Sequence, residues 1–220
     1  MTQSARINNK HTKISTTTYN KSMLAIYCSI AITVTGCSTL PKHKIESIPE
    51  TTLQVDTAQT TLAQIIQPLQ EQHPDLTGYL VLFEPLEALA TRLSLIDKAE
   101  KTLDLQYYIW DNDKVGALAL HALIRAADRG VRVRLLIDDN NAKSTEGIFL
   151  ALAQHPNIEV KLFNPYRFRK YRALDMILDL KRINRRMHNK SFIADHQVAL
   201  IGGRNMTNQY YNVSDNYQFS

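Results

Sequence analysis

Leu103–Asp139 reads LDLQYYIWDNDKVGALALHALIRAADRGVRVRLLIDD, and its changes of hydrophobic period decide the fold. Leu103 to Trp110 is rich in leucine and aromatic residues and predicts a strand. Val115 to Asp128 repeats its apolar residues at helical spacing, and Gly130 stands where a helix needs a C′ residue. Val131 to Ile137 is a strong buried strand interrupted by Arg132 and Arg134. A helix between two such strands predicts a parallel pair joined by a crossover.

The same alternation extends to both sides. Tyr79–Phe83 reads as a strand or extended segment, Pro85 sits well at a helix start, and Leu86 to Lys101 carries an apolar face. Gly147 to Gln154 predicts a helix and Ile158 to Phe163 a strand. We therefore expect an α/β domain, layered α-β-α, with a central mixed and largely parallel sheet. From Gly78 onward roughly 140 residues remain, enough for one sizeable core. Ligands of such sheets gather at the carboxyl ends of strands. Asp138-Asp139-Asn140-Asn141 ends one strand, and Tyr107, Tyr108 and Trp110 lie near another. Loop and capping preferences account for the first group, and strand-face packing for Tyr107 and Tyr108.

Farther on, Met187-His188-Asn189-Lys190-Ser191-Phe192-Ile193-Ala194-Asp195 is followed by Gly202-Gly203-Arg204-Asn205. The pattern is H-x-K-x4-D-x6-G-G-x-N. Histidine near neutrality can attack phosphorus or pass a proton to a leaving oxygen. In an extended chain His188 and Lys190 share one face, with Asn189 on the other. Lys190 brings a compact positive charge for phosphate oxygens. Asp195 is expected to end a strand, His196-Gln197 to turn, and Val198–Ile201 to form a second, buried strand. Gly202 and Gly203 would let backbone N–H groups approach an anion, and Asn205 can donate an amide hydrogen bond to it. Fixed donors aimed at the equatorial oxygens of a phosphorane stabilise the transition state more than the ground state.

Arg185 to Phe192, with Ile201-Gly202-Gly203-Arg204-Asn205, resembles the HKD motif of the phospholipase D superfamily. Upstream, Leu103–Trp110 and Arg125–Asp139 are similar to the first half of bacterial cardiolipin synthase-like members. The resemblance implies a phospholipase D-like domain in which two such motifs meet at one site. One histidine forms a phosphohistidine and the other protonates the leaving alcohol. His188 would be the nucleophile, while Lys190, Asn205, Gly202 and Gly203 would hold phosphate. Asp195 would complete the catalytic set or fix the local fold. The resemblance implies no metal and no cofactor, the lysines and amides taking that place.

No second H-x-K-x4-D follows, and Tyr217-Gln218-Phe219-Ser220 reads as the approach to another strand. The expectation is an N-terminal portion of a longer protein. In the alternative, two copies build the site across a two-fold axis. Residues 78–220 then form the first, incomplete phospholipase D-like domain.

At the front, Lys10, Lys13 and Lys21 precede an apolar run from Met23 to Val34 that is too short for a spanning helix of about 20 residues. This reads as a secretory signal over residues 1–37, and Val34-Thr35-Gly36-Cys37 resembles a bacterial lipobox with Cys37 lipidated. Ser38 after that cysteine favours the outer membrane. The expected location is the bacterial cell envelope, anchored by lipid on the periplasmic face. The chain has 2 cysteines, Cys28 and Cys37, and both fall in this leader, which excludes cysteine catalysis and disulfides from the rest. Residues 38–77 read as a polar linker with a short helix between Thr57 and Gln70, distorted at its end by Pro68.

The formal net charge is +5. Between Tyr166 and Lys190 lie Arg167, Arg169, Lys170, Arg172, Lys181, Arg182, Arg185, Arg186 and Lys190, against Asp175 and Asp179. Apolar residues interleave with them. Such a segment suits an anionic membrane surface, and less so nucleic acid; a merely solvated helix face is the bland alternative. Three functions follow. The first is phosphatidyl transfer from a phosphatidylglycerol-like phospholipid to give cardiolipin. The second is a phosphodiesterase that uses water on lipid or nucleic acid. The third is a silent fragment lacking half of its site.

Overall fold

The computed structural model describes residues 55–214. The leader with Cys28 and Cys37, the tether before residue 55 and the segment Tyr217–Ser220 lie outside the described residues.

Helix α1 spans Thr61–Gln72 and α2 spans Pro85–Lys98. Strand β1 is Thr102–Tyr107, α3 Lys114–Asp128, β2 Arg132–Asp138, α4 Glu146–Leu152 and β3 Ile158–Phe163. After a 3-10 turn at Arg169–Tyr171 come two short helices, α5 (Arg172–Leu178) and α6 (Leu180–Ile183). Strands β4 (Lys190–Ala194) and β5 (Val198–Ile201) follow, with a last 3-10 turn at Asn208–Tyr210. The sheet order is β3-β2-β1-β4-β5. β1, β2 and β3 run parallel, and β4 pairs antiparallel with both β1 and β5. The α/β architecture with a mixed, largely parallel central sheet is therefore present.

The register shows why this sheet forms. Leu103, Leu105 and Tyr107 of β1 lie opposite Val133, Leu135 and Ile137 of β2, and Leu103 and Leu105 lie opposite Ala194 and Phe192 of β4. All of these side chains are buried in one core. Burying each Leu, Ile, Val or Phe contributes roughly 1.5–3 kcal/mol. On the opposite face, Asp104 pairs with Arg134 and Glu159 with Lys161.

Helix α3 faces the core with Val115, Ala119, Ala122, Leu123, Ala126 and Ala127. Its N-cap is Asp113, whose carboxylate accepts from the Gly116 N–H at 2.9 Å. The same carboxylate accepts from the Thr207 hydroxyl and the Asn208 N–H, both at 2.7 Å, which ties the start of α3 to the loop after β5. At the other end the Val131 N–H reaches the Ala126 carbonyl and the Gly130 N–H the Ala127 carbonyl, with Gly130 at φ 93°. That is a Schellman closure with Gly130 as C′.

Two local expectations differ, and a third is met by its second alternative. Tyr79–Phe83 is an extended segment that enters no strand; Tyr79, Leu80, Val81 and Phe83 are exposed, while Leu82 is partly buried against the core. An extended apolar pentapeptide becomes a strand only where a sheet edge receives it, and among the described residues none does. Val198–Ile201 is a strand, but an edge one and not buried, with Ile201 81% exposed. Helix α1 runs through Pro68 to Gln72. Its Leu62 joins the core, and the Thr61 N–H donates to the Glu100 carboxylate, so α1 packs on the domain.

Candidate active site

The carboxyl ends of β1 and β2 and the start of β4 meet at one place. In the antiparallel register Lys190 stands opposite Tyr107, so His188 and Asn189 continue past the end of β1. His188 is exposed, whereas Lys190 is buried. The ring of Tyr108 lies between them. Its centroid is 4.7 Å from that of His188, edge-on at 60°, and 5.2 Å from the Lys190 Nζ. The Lys190 ammonium donates to the His188 carbonyl at 2.9 Å. Burial holds its pKa below the ordinary lysine value, because desolvation penalises the charged form. Asn189 turns to the Gln106 side-chain amide at 3.0 Å.

Asn205 arrives from the far side of the sheet edge. It is 1% exposed, and its Oδ1 accepts from the Ile109 N–H at 3.1 Å. The Met206 N–H donates to the Ile109 carbonyl, and the Asp111 N–H to the Met206 carbonyl. These bonds fix Asn205 one residue from Tyr108. Its Nδ2 is buried and has no hydrogen-bond partner among the described residues. A buried amide donor without a partner costs stability, and a phosphate oxygen would satisfy it.

The loop that carries His188 is held by charge. The Asp138 carboxylate, fully buried at the end of β2, accepts from the Met187 N–H at 2.8 Å and from Arg186 at 3.2 Å. Asp139 beside it accepts from the Tyr166 N–H and from Arg169, both at 2.8 Å, and from Arg172 at 3.3 Å. The guanidinium carbons of Arg172 and Arg186 lie 4.6 and 4.8 Å from the Tyr166 ring centroid. Asn140 donates to the Tyr108 phenol at 3.3 Å and Asn141 to the Tyr108 carbonyl at 3.4 Å. The loop after β2 thus orients both the aromatic wall of the site and the approach to His188.

The structure brings His188 and Lys190 together at Tyr108, ties Asn205 to the neighbouring Ile109 N–H, and separates Asp195 from them. Asp195 lies past the opposite end of β4. Its buried carboxylate accepts from the backbone N–H groups of Glu100 (3.0 Å), Lys101 (2.8 Å) and Thr102 (2.8 Å). Of the two roles expected of Asp195, completing the catalytic set or fixing the local fold, its contacts are those of the second: the carboxylate ties the end of β4 to the β1 entrance. Gly202 and Gly203 are exposed, and a Cβ at either would meet nothing within 4 Å. No close packing demands glycine there, and the donor that is buried at the site is the Asn205 amide.

The sequence places Tyr108 and Asp138 near the carboxyl ends of strands, where ligands gather, but strand packing and loop preferences outweigh that signal. Packing describes the neighbouring Tyr107 and the buried Trp110, whereas Tyr108 meets His188 and Asp138 anchors the loop before it.

The sequence model of the family described as "Cardiolipin synthase, PLD-like domain" matches residues 93–218. The chain is 50% identical over 159 residues to cardiolipin synthase C of Escherichia coli (strain K12), covering 72% of this chain and 34% of that protein. It is 31% identical over 124 residues to a cardiolipin synthase of Oceanobacillus iheyensis, covering 56% of this chain and 24% of the relative. The chain therefore spans about a third of the length of the first of these curated relatives and about a quarter of the second. Among solved structures, NucT from Helicobacter pylori aligns at 21% identity with a TM-score of 0.43, over 60% of this chain and 76% of that one.

Proposed function

Because this chain belongs to the phospholipase D superfamily, with a cardiolipin synthase-like domain over residues 93–218, we propose that it supplies one half of a phosphatidyltransferase site. The observation that carries this reading is the meeting of exposed His188 and buried Lys190 at the Tyr108 ring, with Asn205 held at the adjacent Ile109 N–H and its Nδ2 unpartnered. A ring nitrogen of His188 attacks the phosphorus of a phosphatidylglycerol-like lipid. The bond from phosphorus to the leaving glycerol oxygen breaks, and that oxygen takes a proton from the second motif's histidine. The phosphatidyl group then sits on His188 until a hydroxyl of a second lipid attacks it and returns the proton. Lys190 and Asn205 hold the non-bridging oxygens, where charge builds in the transition state. The second histidine comes from a longer form of the chain or from a second copy. Lipid on Cys37 would anchor the site in the cell envelope, on the periplasmic face of the outer membrane.

Cardiolipin measured in a host that makes none of its own tests the reading. Expression of the wild-type gene should raise cardiolipin at the expense of phosphatidylglycerol, and His188→Ala should abolish both the rise and any trapped phosphoenzyme. Phosphatidic acid or cleaved nucleic acid in place of cardiolipin would make water the acceptor and the protein a phosphodiesterase. Full activity of His188→Ala would remove the mechanism altogether.

A further inference from the structure

Helix α5 is built inside out. Its one buried side chain is a carboxylate, Asp175, which is 1% exposed. That carboxylate accepts from the Phe168 N–H at 2.8 Å and from Arg182 at 3.3 Å. The apolar residues of the same helix point outward: Ile177 is 79% exposed and Leu178 69%. Leu174 and Met176 are exposed as well, and so are Phe168 and Tyr171 just before the helix. A helix on water reverses this pattern, with its apolar stripe on the core. Here the polar inner face locks the segment to the domain and leaves a contiguous apolar outer face, the kind of patch that marks an interaction surface.

The surroundings of the patch identify what it fits. Of the nine cations from Arg167 to Lys190, Arg169, Arg172, Arg182 and Arg186 pair with Asp139, Glu146, Asp175, Asp179 and Asp138, and Lys190 is buried, which leaves Arg167, Lys170 and Lys181 as the exposed cations nearest the patch. Arg167 and Lys170 are exposed beside Phe168 and Tyr171, and Lys181 is exposed beside Leu180. An apolar face ringed by positive charge is complementary to acyl chains beneath anionic headgroups. A protein partner for such a face would need an acidic rim around an apolar centre. A bilayer of anionic lipid presents that arrangement everywhere.

We propose that residues 167–181 are the surface by which this domain seats on anionic lipid, with Ile177 and Leu178 at the point of entry. The proposal rests on the phosphatidyltransferase reading only for its purpose: the segment runs directly into the loop bearing His188, so seating brings headgroups to the site. It stands or falls separately, because it concerns binding and not turnover.

Emission of the full chain carrying Ile177→Trp together with Cys37→Ala, which removes the lipid attachment point, provides the test, with vesicles of phosphatidylglycerol and phosphatidylcholine compared with phosphatidylcholine alone. The chain has a single native tryptophan, Trp110, which is buried and gives a constant background. A blue shift on anionic vesicles, weakened by salt, is expected, and no shift from Leu150→Trp on the exposed side of α4. Paired Ile177→Glu and Leu178→Glu should weaken partitioning roughly tenfold or more, while far-ultraviolet circular dichroism stays unchanged because both side chains are exposed. His188→Ala should bind as the wild type does, which separates this result from loss of catalysis. An unshifted Ile177→Trp, equal shifts on neutral vesicles, or wild-type partitioning of the double variant would each overturn the proposal. So would a concentration-dependent dimer in the absence of lipid that the double variant dissociates, since a second copy would then be the occupant.

Discussion

The Met187 N–H donates to the Asp138 carboxylate at 2.8 Å, so the last residue of β2 holds the residue that precedes His188. The same carboxylate pairs with Arg186 at 3.2 Å, and one guanidinium nitrogen of Arg186 is already buried without a partner. Asp138→Ala would strand that cation and the Met187 N–H together. Removing one partner of a buried pair costs about 3–5 kcal/mol. Urea unfolding should show a loss of that order, with turnover falling further than the folded fraction does. Asp138→Asn keeps an oxygen for Met187 and should lose less on both measures.

Asp195 makes the opposite kind of prediction. Asp195→Ala leaves the N–H groups of Glu100, Lys101 and Thr102 without their acceptor at the entrance to β1. At about 1–3 kcal/mol for each unsatisfied buried group, partly recovered by water, the expected loss is on the order of 3 kcal/mol. Activity per folded molecule should stay near that of the wild type, measured well below the melting temperature. A folded Asp195→Ala protein with no turnover would return Asp195 to the chemistry.

The contrast between these two aspartates shows what local sequence carries. The alternation of Leu103, Leu105 and Tyr107, the helical stripe of α3 and the C′ role of Gly130 are short-range patterns, and the structure contains each of them. The pairing of β4 with β1 brings together residues about 90 apart in the chain, and no local period encodes it. Asp195 follows from that pairing, since its three donors are 93–95 residues away. The motif spacing picks out candidate residues, while only the fold separates His188 and Lys190, which meet at Tyr108, from Asp195, which braces the sheet. For the same reason the apolar composition of Val198–Ile201 predicts burial, whereas the fold places it on an edge. Tyr108 joins His188 through a loop contact that strand propensity cannot show.

Asn205 allows a substitution that keeps its bond to the backbone. Asn205→Asp retains an oxygen for the Ile109 N–H, now at 3.1 Å, and replaces the unpartnered Nδ2 with a second acceptor. The carboxylate repels phosphate where the amide would donate to it. Loss of one such donor lowers kcat by roughly 10²–10³. A carboxylate at a position 1% exposed costs stability, so turnover is compared per folded molecule, and inhibition by inorganic phosphate should weaken in parallel with it. Unchanged kinetics would place the phosphate elsewhere.

Lys190 ties the pH dependence of stability to the same site. Burial holds its pKa in the folded chain below the ordinary value of 10.5. Between the folded value and 10.5 the unfolded chain therefore binds more protons, and stability rises with pH across that window. Below the window the buried ammonium costs stability in full. Lys190→Met should remove that cost, giving a chain that is more stable at neutral pH and whose urea midpoint changes less on going to about pH 10. A bound phosphate acts in the reverse direction: its charge raises the Lys190 pKa, so phosphate should steady the wild type most at neutral pH and steady Lys190→Met far less. Parallel wild-type and variant curves, with and without phosphate, would show that the buried ammonium neither titrates in this window nor holds the anion.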